Sequence, residues 1–75
     1  FARNLEQGMI GEDVRELQKL LTARGYTIAA TGEGAPGQET TYFGASTTAA
    51  LIKFQQAYKL PAKGYFGPLT QAALR

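Results

Sequence analysis

A chain of 75 residues makes one small domain, and with no cysteine and no histidine it lacks both disulfides and the usual zinc ligands. The same absence excludes Ser-His-Asp triads, Cys-His dyads and zinc fingers, so packing alone must hold a chain that is 44% hydrophobic. Eight basic against six acidic residues leave a net charge of +2, a mild bias toward anionic partners and too little for a nucleic-acid interface.

No apolar run approaches the ~18 residues of a membrane span, so membrane insertion is not expected. Phe1-Ala-Arg-Asn is followed by no apolar stretch of a signal peptide. A cysteine-free composition fits the cytoplasm or an export route that avoids disulfides. Residues 1–75 read as a single domain cut from a longer protein.

The first helix is predicted from Glu12 to Arg24. Ile10, Val14, Leu17 and Leu21 recur at helical spacing, Leu20 widens the stripe, and Glu12, Arg15, Glu16 and Lys19 fall opposite. Glu12 and Asp13 in the first turn and Arg24 in the last suit the helix dipole, and Gly25 supplies a left-handed stop. Tyr26-Thr-Ile-Ala reads as a short extended piece with Ile28 inward. Thr31 to Thr41 has the glycine and proline content of an exposed loop, long for so small a domain. A second helix is predicted from Ala45 to Tyr58, with Thr47, Ala50, Leu51, Phe54 and Tyr58 on one face and Pro61 ending it. A third begins at Pro68 and runs to Leu74, with Leu69, Ala73 and Leu74 available for burial. So short a helix must dock on the other two.

The chain repeats itself. Phe43-Gly-Ala-Ser-Thr-Thr-Ala-Ala-Leu51 returns as Phe66-Gly-Pro-Leu-Thr-Gln-Ala-Ala-Leu74, with Phe, Gly, Thr, Ala, Ala and Leu in register and a tyrosine before each copy. A fainter echo links Val14-x-x-Leu17-Gln18-x-x-Leu21 to Leu51-x-x-Phe54-Gln55-x-x-Tyr58. Each nonapeptide reads as a helix start: phenylalanine as apolar anchor, glycine for a sharp turn, threonine bonding back to the first turn. A unit used twice argues for packing before chemistry.

Leu5-x-x-Gly8-x-x-Gly11-x-Asp13-Val14-x-x-Leu17-Gln18-x-x-Leu21-x-x-x-Gly25, then Phe43-Gly44-x-x-Thr47-x-x-Ala50-Leu51-x-x-Phe54-Gln55, then Gly64-Tyr65-Phe66-Gly67-Pro68-x-Thr70, resembles the peptidoglycan-binding domain-like family over nearly the whole chain. The resemblance implies a small, all-α, orthogonal three-helix bundle with one long loop between its first two helices. It implies a bacterial, secreted or cell-envelope setting, in which the module holds an attached hydrolase or envelope protein on peptidoglycan and does no chemistry itself. Many members have a brief first loop with an aspartate before a glycine. Here Thr27 to Thr41 is longer and offers Glu33 and Glu39 instead.

Structural roles are expected for Gly11, Asp13, Gln18, Gly25, Phe43, Gly44, Thr47, Gln55, Phe66, Gly67 and Thr70. Gln18 and Gln55 read either as ligand-facing amides or, preferably, as part-buried amides satisfying loop backbone. Phe43, Phe54, Phe66 and Tyr58 sit at core spacing. Tyr26, Tyr42 and Tyr65 lie at loop junctions, either offering stacking surfaces to a sugar or peptide or plugging the core with a wet tip. With Lys63 and Gln38 they form the candidate ligand-binding set. Two glutamates in a glycine-rich loop make a poor calcium cage and an implausible glycosidase pair, so no metal, cofactor or catalytic residue is expected.

The leading expectation is a monomeric, noncatalytic module that binds peptidoglycan through glycan, stem peptide or both. The alternative is a protein–protein or prodomain-like module of an envelope assembly.

Overall fold

Three helices, α1 (Glu12–Ala23), α2 (Ala45–Ala57) and α3 (Pro68–Ala73), follow one another in a computed structural model that describes residues 3–29, 32, 33, 35 and 37–74. Expectations for Ala30, Thr31, Gly34 and Pro36 in the long loop lie outside the described residues. Among those described there is no strand. Residues 26–29 form no strand, and the extended pairing present is two isolated antiparallel bridges elsewhere, Leu5 with Phe66 and Ile10 with Tyr42.

The buried stripe of α1 is Val14, Leu17, Gln18 and Leu21, and that of α2 is Thr47, Ala50, Leu51, Phe54 and Gln55. Phe43, Phe54 and Phe66 are fully buried with Leu5, Leu17, Leu21 and Leu51, and Leu74 closes the core from the end of α3. The repeated phenylalanines therefore act as anchors just ahead of α2 and α3, the role the repeat suggests.

The segment 5–11 ties the two repeat units together. Leu5 and Phe66 exchange both backbone bonds, at 3.1 and 2.8 Å. A few residues on, the Gly8 N–H donates to the Phe43 carbonyl at 2.8 Å and the Phe43 N–H to the Met9 carbonyl at 2.9 Å. The chain that precedes α1 is thus the strap across both helix starts.

Both long helices end in the same way. The Tyr26 N–H returns to the Leu21 carbonyl at 2.9 Å and the Gly25 N–H to Thr22 at 3.0 Å, with Gly25 at φ 89. In α2 the Leu60 N–H returns to Gln55 at 2.8 Å and the Lys59 N–H to Gln56 at 3.2 Å. These are paired closures around a left-handed residue. The residue that turns the chain out of α2 is therefore Lys59, at φ 57, and not Pro61, which merely prevents continuation. Lysine carries the Cβ penalty that glycine avoids. Arg24 lies just beyond α1 and reaches across the fold, its Nη2 donating to the Leu74 carbonyl at 3.1 Å.

Three apolar assignments need correction. Ile10 is 67% exposed, because it precedes α1 in the extended strap and the helical period does not reach it. Tyr58 is 47% exposed at the end of α2, its ring tilted against Phe54 with the ring centres 4.3 Å apart. Leu69 is 64% exposed, since the first turn of α3 turns it away from the core. Ile28 does point inward.

Candidate functional site

α1 and α2 each present a glutamine from their buried face, 1% exposed in both cases. Gln18 Nε2 donates to the Tyr42 carbonyl at 3.0 Å and to Thr47 Oγ1 at 2.9 Å, and Oε1 accepts the Thr40 N–H at 2.6 Å. Gln55 makes the same set: Nε2 donates to the Tyr65 carbonyl at 2.9 Å and to Thr70 Oγ1 at 3.1 Å, and Oε1 accepts the Gly64 N–H at 3.0 Å. Each amide thus grips the turn that leads into the next helix. Both amides bond loop backbone, and the repeated threonines take a different part from the one expected. Thr47 and Thr70 accept from a glutamine on the preceding helix, whereas Thr48 Oγ1 makes the local bond to the Gly44 carbonyl at 3.0 Å.

The two turns hold their tyrosines alike. Gly44 and Gly67 sit at the starts of α2 and α3 with φ of −101 and −99, open to any residue, so sharp turning is not why glycine stands there. A methyl group on Gly44 would meet Tyr42 Cε2 at 2.9 Å, and one on Gly67 would meet Tyr65 Cε2 at 2.8 Å. Each tyrosine ring folds back over its glycine, and the missing side chain is the seat for the ring. Tyr42 and Tyr65 remain 52% and 43% exposed.

Beside each seated ring opens a cleft. The α2 cleft, of ≈ 240 Å³, is lined by Thr40, Tyr42, Gly44, Ala45, Ser46 and Thr47, with Gln18, Ile28 and Glu33 completing it. The α3 cleft, of ≈ 140 Å³, is lined by Lys63, Tyr65, Gly67, Pro68, Leu69 and Thr70, with Pro61. Those six residues stand 23 positions after the six of the α2 cleft, one for one. The sequence repeat is therefore also a repeat of the surface. Its two copies have diverged: Thr40 against Lys63, Ala45 against Pro68, Ser46 against Leu69. Hydroxyls and Glu33 make the α2 cleft polar. Prolines and Leu69 make the α3 cleft apolar, with Lys63 as its cation.

Of the five candidate ligand-binding residues, Tyr42 falls in the α2 cleft and Tyr65 and Lys63 in the α3 cleft. Tyr26 and Gln38 line neither. The Tyr26 ring stands edge-on to Phe54 at 5.7 Å as part of the packing. Gln38 is exposed, its N–H donating to the Ala35 carbonyl at 2.7 Å. Ser46, Leu69, Pro61, Pro68, Thr40 and Ile28 were not singled out as site residues. Carrying the 23-residue offset past the matching positions to the differing ones would have found most of them.

The perturbed charges lie at the start of α1. Arg3 holds Asp13 with two bonds, Nε to Oδ2 at 2.7 Å and Nη2 to Oδ1 at 3.1 Å, and Nη2 also donates to the Ile10 carbonyl at 2.8 Å. The hydrogen bonds from Arg3 hold the Asp13 carboxyl below its ordinary range, and Asp13 in turn raises Arg3. A methyl on Gly11 would meet both Arg3 Nη2 and Asp13 Oδ1 at 2.5 Å, so the ends of both side chains would have to shift. This pair fastens the strap to α1. Among the described residues no group of three or more acidic residues gathers that could hold a metal ion.

Two related clefts with hydroxyl, backbone, aromatic and single charged groups are equipped to hold a ligand by its edges. The family described as "Putative peptidoglycan binding domain" matches residues 10–74. The chain belongs to this peptidoglycan-binding domain family. It is 42% identical over 70 residues to a zinc D-Ala-D-Ala carboxypeptidase of Streptomyces albus G, covering 93% of this chain and 25% of that protein. It is 34% identical over 71 residues to a probable N-acetylmuramoyl-L-alanine amidase of Bacillus licheniformis, covering 93% and 18%. Among solved structures it resembles the SleB N-terminal domain, with 34% identity, a TM-score of 0.81, and 99% and 90% of the two chains covered. The peptidoglycan-binding domain thus spans a quarter or less of the length of these two curated relatives. The all-α, three-helix fold expected from the sequence is the fold of this family.

Proposed function

We propose that this domain is a noncatalytic, monomeric wall-binding module of a bacterial envelope or secreted protein, and that it keeps an attached hydrolase on peptidoglycan through the two clefts beside Tyr42 and Tyr65. The observation that carries the reading is the surface repeat: one ring-over-glycine cleft is built twice, and each copy is held in shape by its own buried glutamine. Stem peptide and glycan both offer amides, hydroxyls and small apolar groups that suit such shallow sites. The relatives named above are an amidase and a carboxypeptidase, and the family region fills only a part of each, which supports a module serving a neighbouring catalytic domain. Weak affinity at each cleft suffices, since two contacts on one polymer reinforce one another and a tethered enzyme gains local concentration.

The test is co-sedimentation of the domain with purified sacculi. It should pellet with the wall and release no soluble muropeptides on long incubation. Tyr42→Ala and Tyr65→Ala should each reduce retention while far-UV circular dichroism stays unchanged. A folded domain that stays in the supernatant with sacculi of differing stem peptide, yet captures an envelope protein, would replace this reading with a protein–protein one.

A further inference from the structure

The divergence between the two clefts points to a division of labour. In the α3 cleft, Leu69, Pro61 and Pro68 offer an apolar wall, and Lys63 brings an ammonium group to it. Leu69 is 64% exposed, a large apolar side chain with nothing described covering it. Lys63 is exposed and enters none of the ion pairs among the described residues. At ≈ 140 Å³ the cleft is less than half the ~300 Å³ at which sites for whole small molecules begin, so it has room for an end group. A ligand that fits must be small and apolar on one side and anionic on the other. In the α2 cleft the same positions carry Thr40 and Ser46, and Glu33 would repel an anion.

We propose that the α3 cleft is a subsite for the free carboxyl end of a peptide terminating in alanine, with the methyl against Leu69 and Pro68 and the carboxylate at Lys63. This rests on the wall-binding reading and names the part of the wall that this cleft selects. The α2 cleft takes neutral polar groups of the same polymer and does not take the carboxylate. The domain would then prefer uncrosslinked wall, where stem peptides keep free ends, over wall whose ends are consumed in amide crosslinks. Charge on an exposed lysine is screened, so the preference rests on the pairing of cation and apolar wall together, and it weakens as salt rises.

The experiment titrates the domain with acetyl-Ala-Ala, in L and D forms, and with the corresponding C-terminal amides, followed by amide and methyl resonances. The acid should shift Lys63, Tyr65 and Leu69 while leaving Ser46 and Thr47 in place, and the amide should bind about 1.5- to five-fold more weakly, the range expected of an exposed charge pair. Lys63→Gln should bring acid and amide to the same affinity. Equal binding of acid and amide to the parent domain overturns the proposal. So does a footprint centred on the α2 cleft, or no shift up to the solubility limit of the peptide. Sacculus co-sedimentation of the same preparation separates the two levels. Retention on the wall with no acid preference refutes this subsite alone, whereas loss of wall retention by folded protein refutes the wall-binding reading itself.

Discussion

Replacing Gln55 with leucine tests the claim that one buried amide organises the turn before α3. The substitution strands three groups: the Gly64 N–H, the Tyr65 carbonyl and Thr70 Oγ1, which now bond it at 3.0, 2.9 and 3.1 Å. Each orphaned buried group costs about 1–3 kcal/mol, while the added apolar burial of leucine returns about 1.5–3 kcal/mol. The net loss is about 1.5–6 kcal/mol. For a chain of this length the whole folding free energy is on the order of 4–11 kcal/mol, so the variant should be severely weakened or unfolded. Thr70→Val alone leaves the glutamine bonded to the Tyr65 carbonyl and should cost about 1 kcal/mol. Placed in the Gln55→Leu background, the same valine removes a stranded hydroxyl and should cost nothing or restore stability. Urea denaturation followed by circular dichroism measures all four corners of this cycle. Strict additivity, or a Gln55→Leu loss below about 1 kcal/mol, would refute the idea that these bonds act as a unit.

Lys59→Gly should stabilise the domain by about 0.5–1 kcal/mol, because lysine at φ 57 bears a left-handed penalty of ~1–2 kcal/mol that exceeds the extra unfolded-state entropy of glycine. A lower denaturation midpoint would contradict that accounting. The Arg3–Asp13 pair predicts a pH dependence. Since the folded Asp13 carboxyl is depressed by Arg3, its contribution is present above the unfolded value of about 3.9 and is lost as pH falls through the lower folded value. The stability gap between the parent and Arg3→Gln should therefore be constant near neutrality and shrink in acid, and the Asp13 carboxyl resonance should titrate higher in the variant. A gap that does not shrink in strong acid would show that Arg3 acts through its bond to the Ile10 carbonyl and its packing, not through Asp13.

Periodicity alone was enough to find α1 and α2, because both bury a stripe at helical spacing, and Gly25 marked the end of α1. It misled where the helix stops and the spacing continues past its end. Ile10 and Tyr58 lie just beyond the two helices, so the same stripe sends them toward solvent. The closing role of Lys59 had no local signal, since the backbone bonds of that turn fix its conformation whatever its side chain. The glutamine echo and the Phe-Gly-x-x-Thr repeat were visible as separate patterns. That they are one device was not, because Gln18 meets Thr47 across 29 positions and Gln55 meets Thr70 across only 15. The reason for glycine at 44 and 67 was hidden in the same way, since only the folded ring positions show what a Cβ would strike. The clefts were half legible: Tyr42, Tyr65 and Lys63 came from residue type and position, whereas Leu69 was assigned to the core because hydrophobicity does not say which way the first turn of α3 faces.

The most direct measurement of the central claim is a footprint of soluble muropeptides on the isotope-labelled domain. Resonances of Tyr42, Ser46 and Thr47 in one cleft and of Tyr65, Gly67 and Leu69 in the other should shift together as ligand is added, with Arg15, Lys19 and Lys53 on the outer faces of α1 and α2 unmoved. Shifts centred on those outer faces, or none in either cleft with the domain folded, would contradict the assignment of peptidoglycan binding to the repeated clefts.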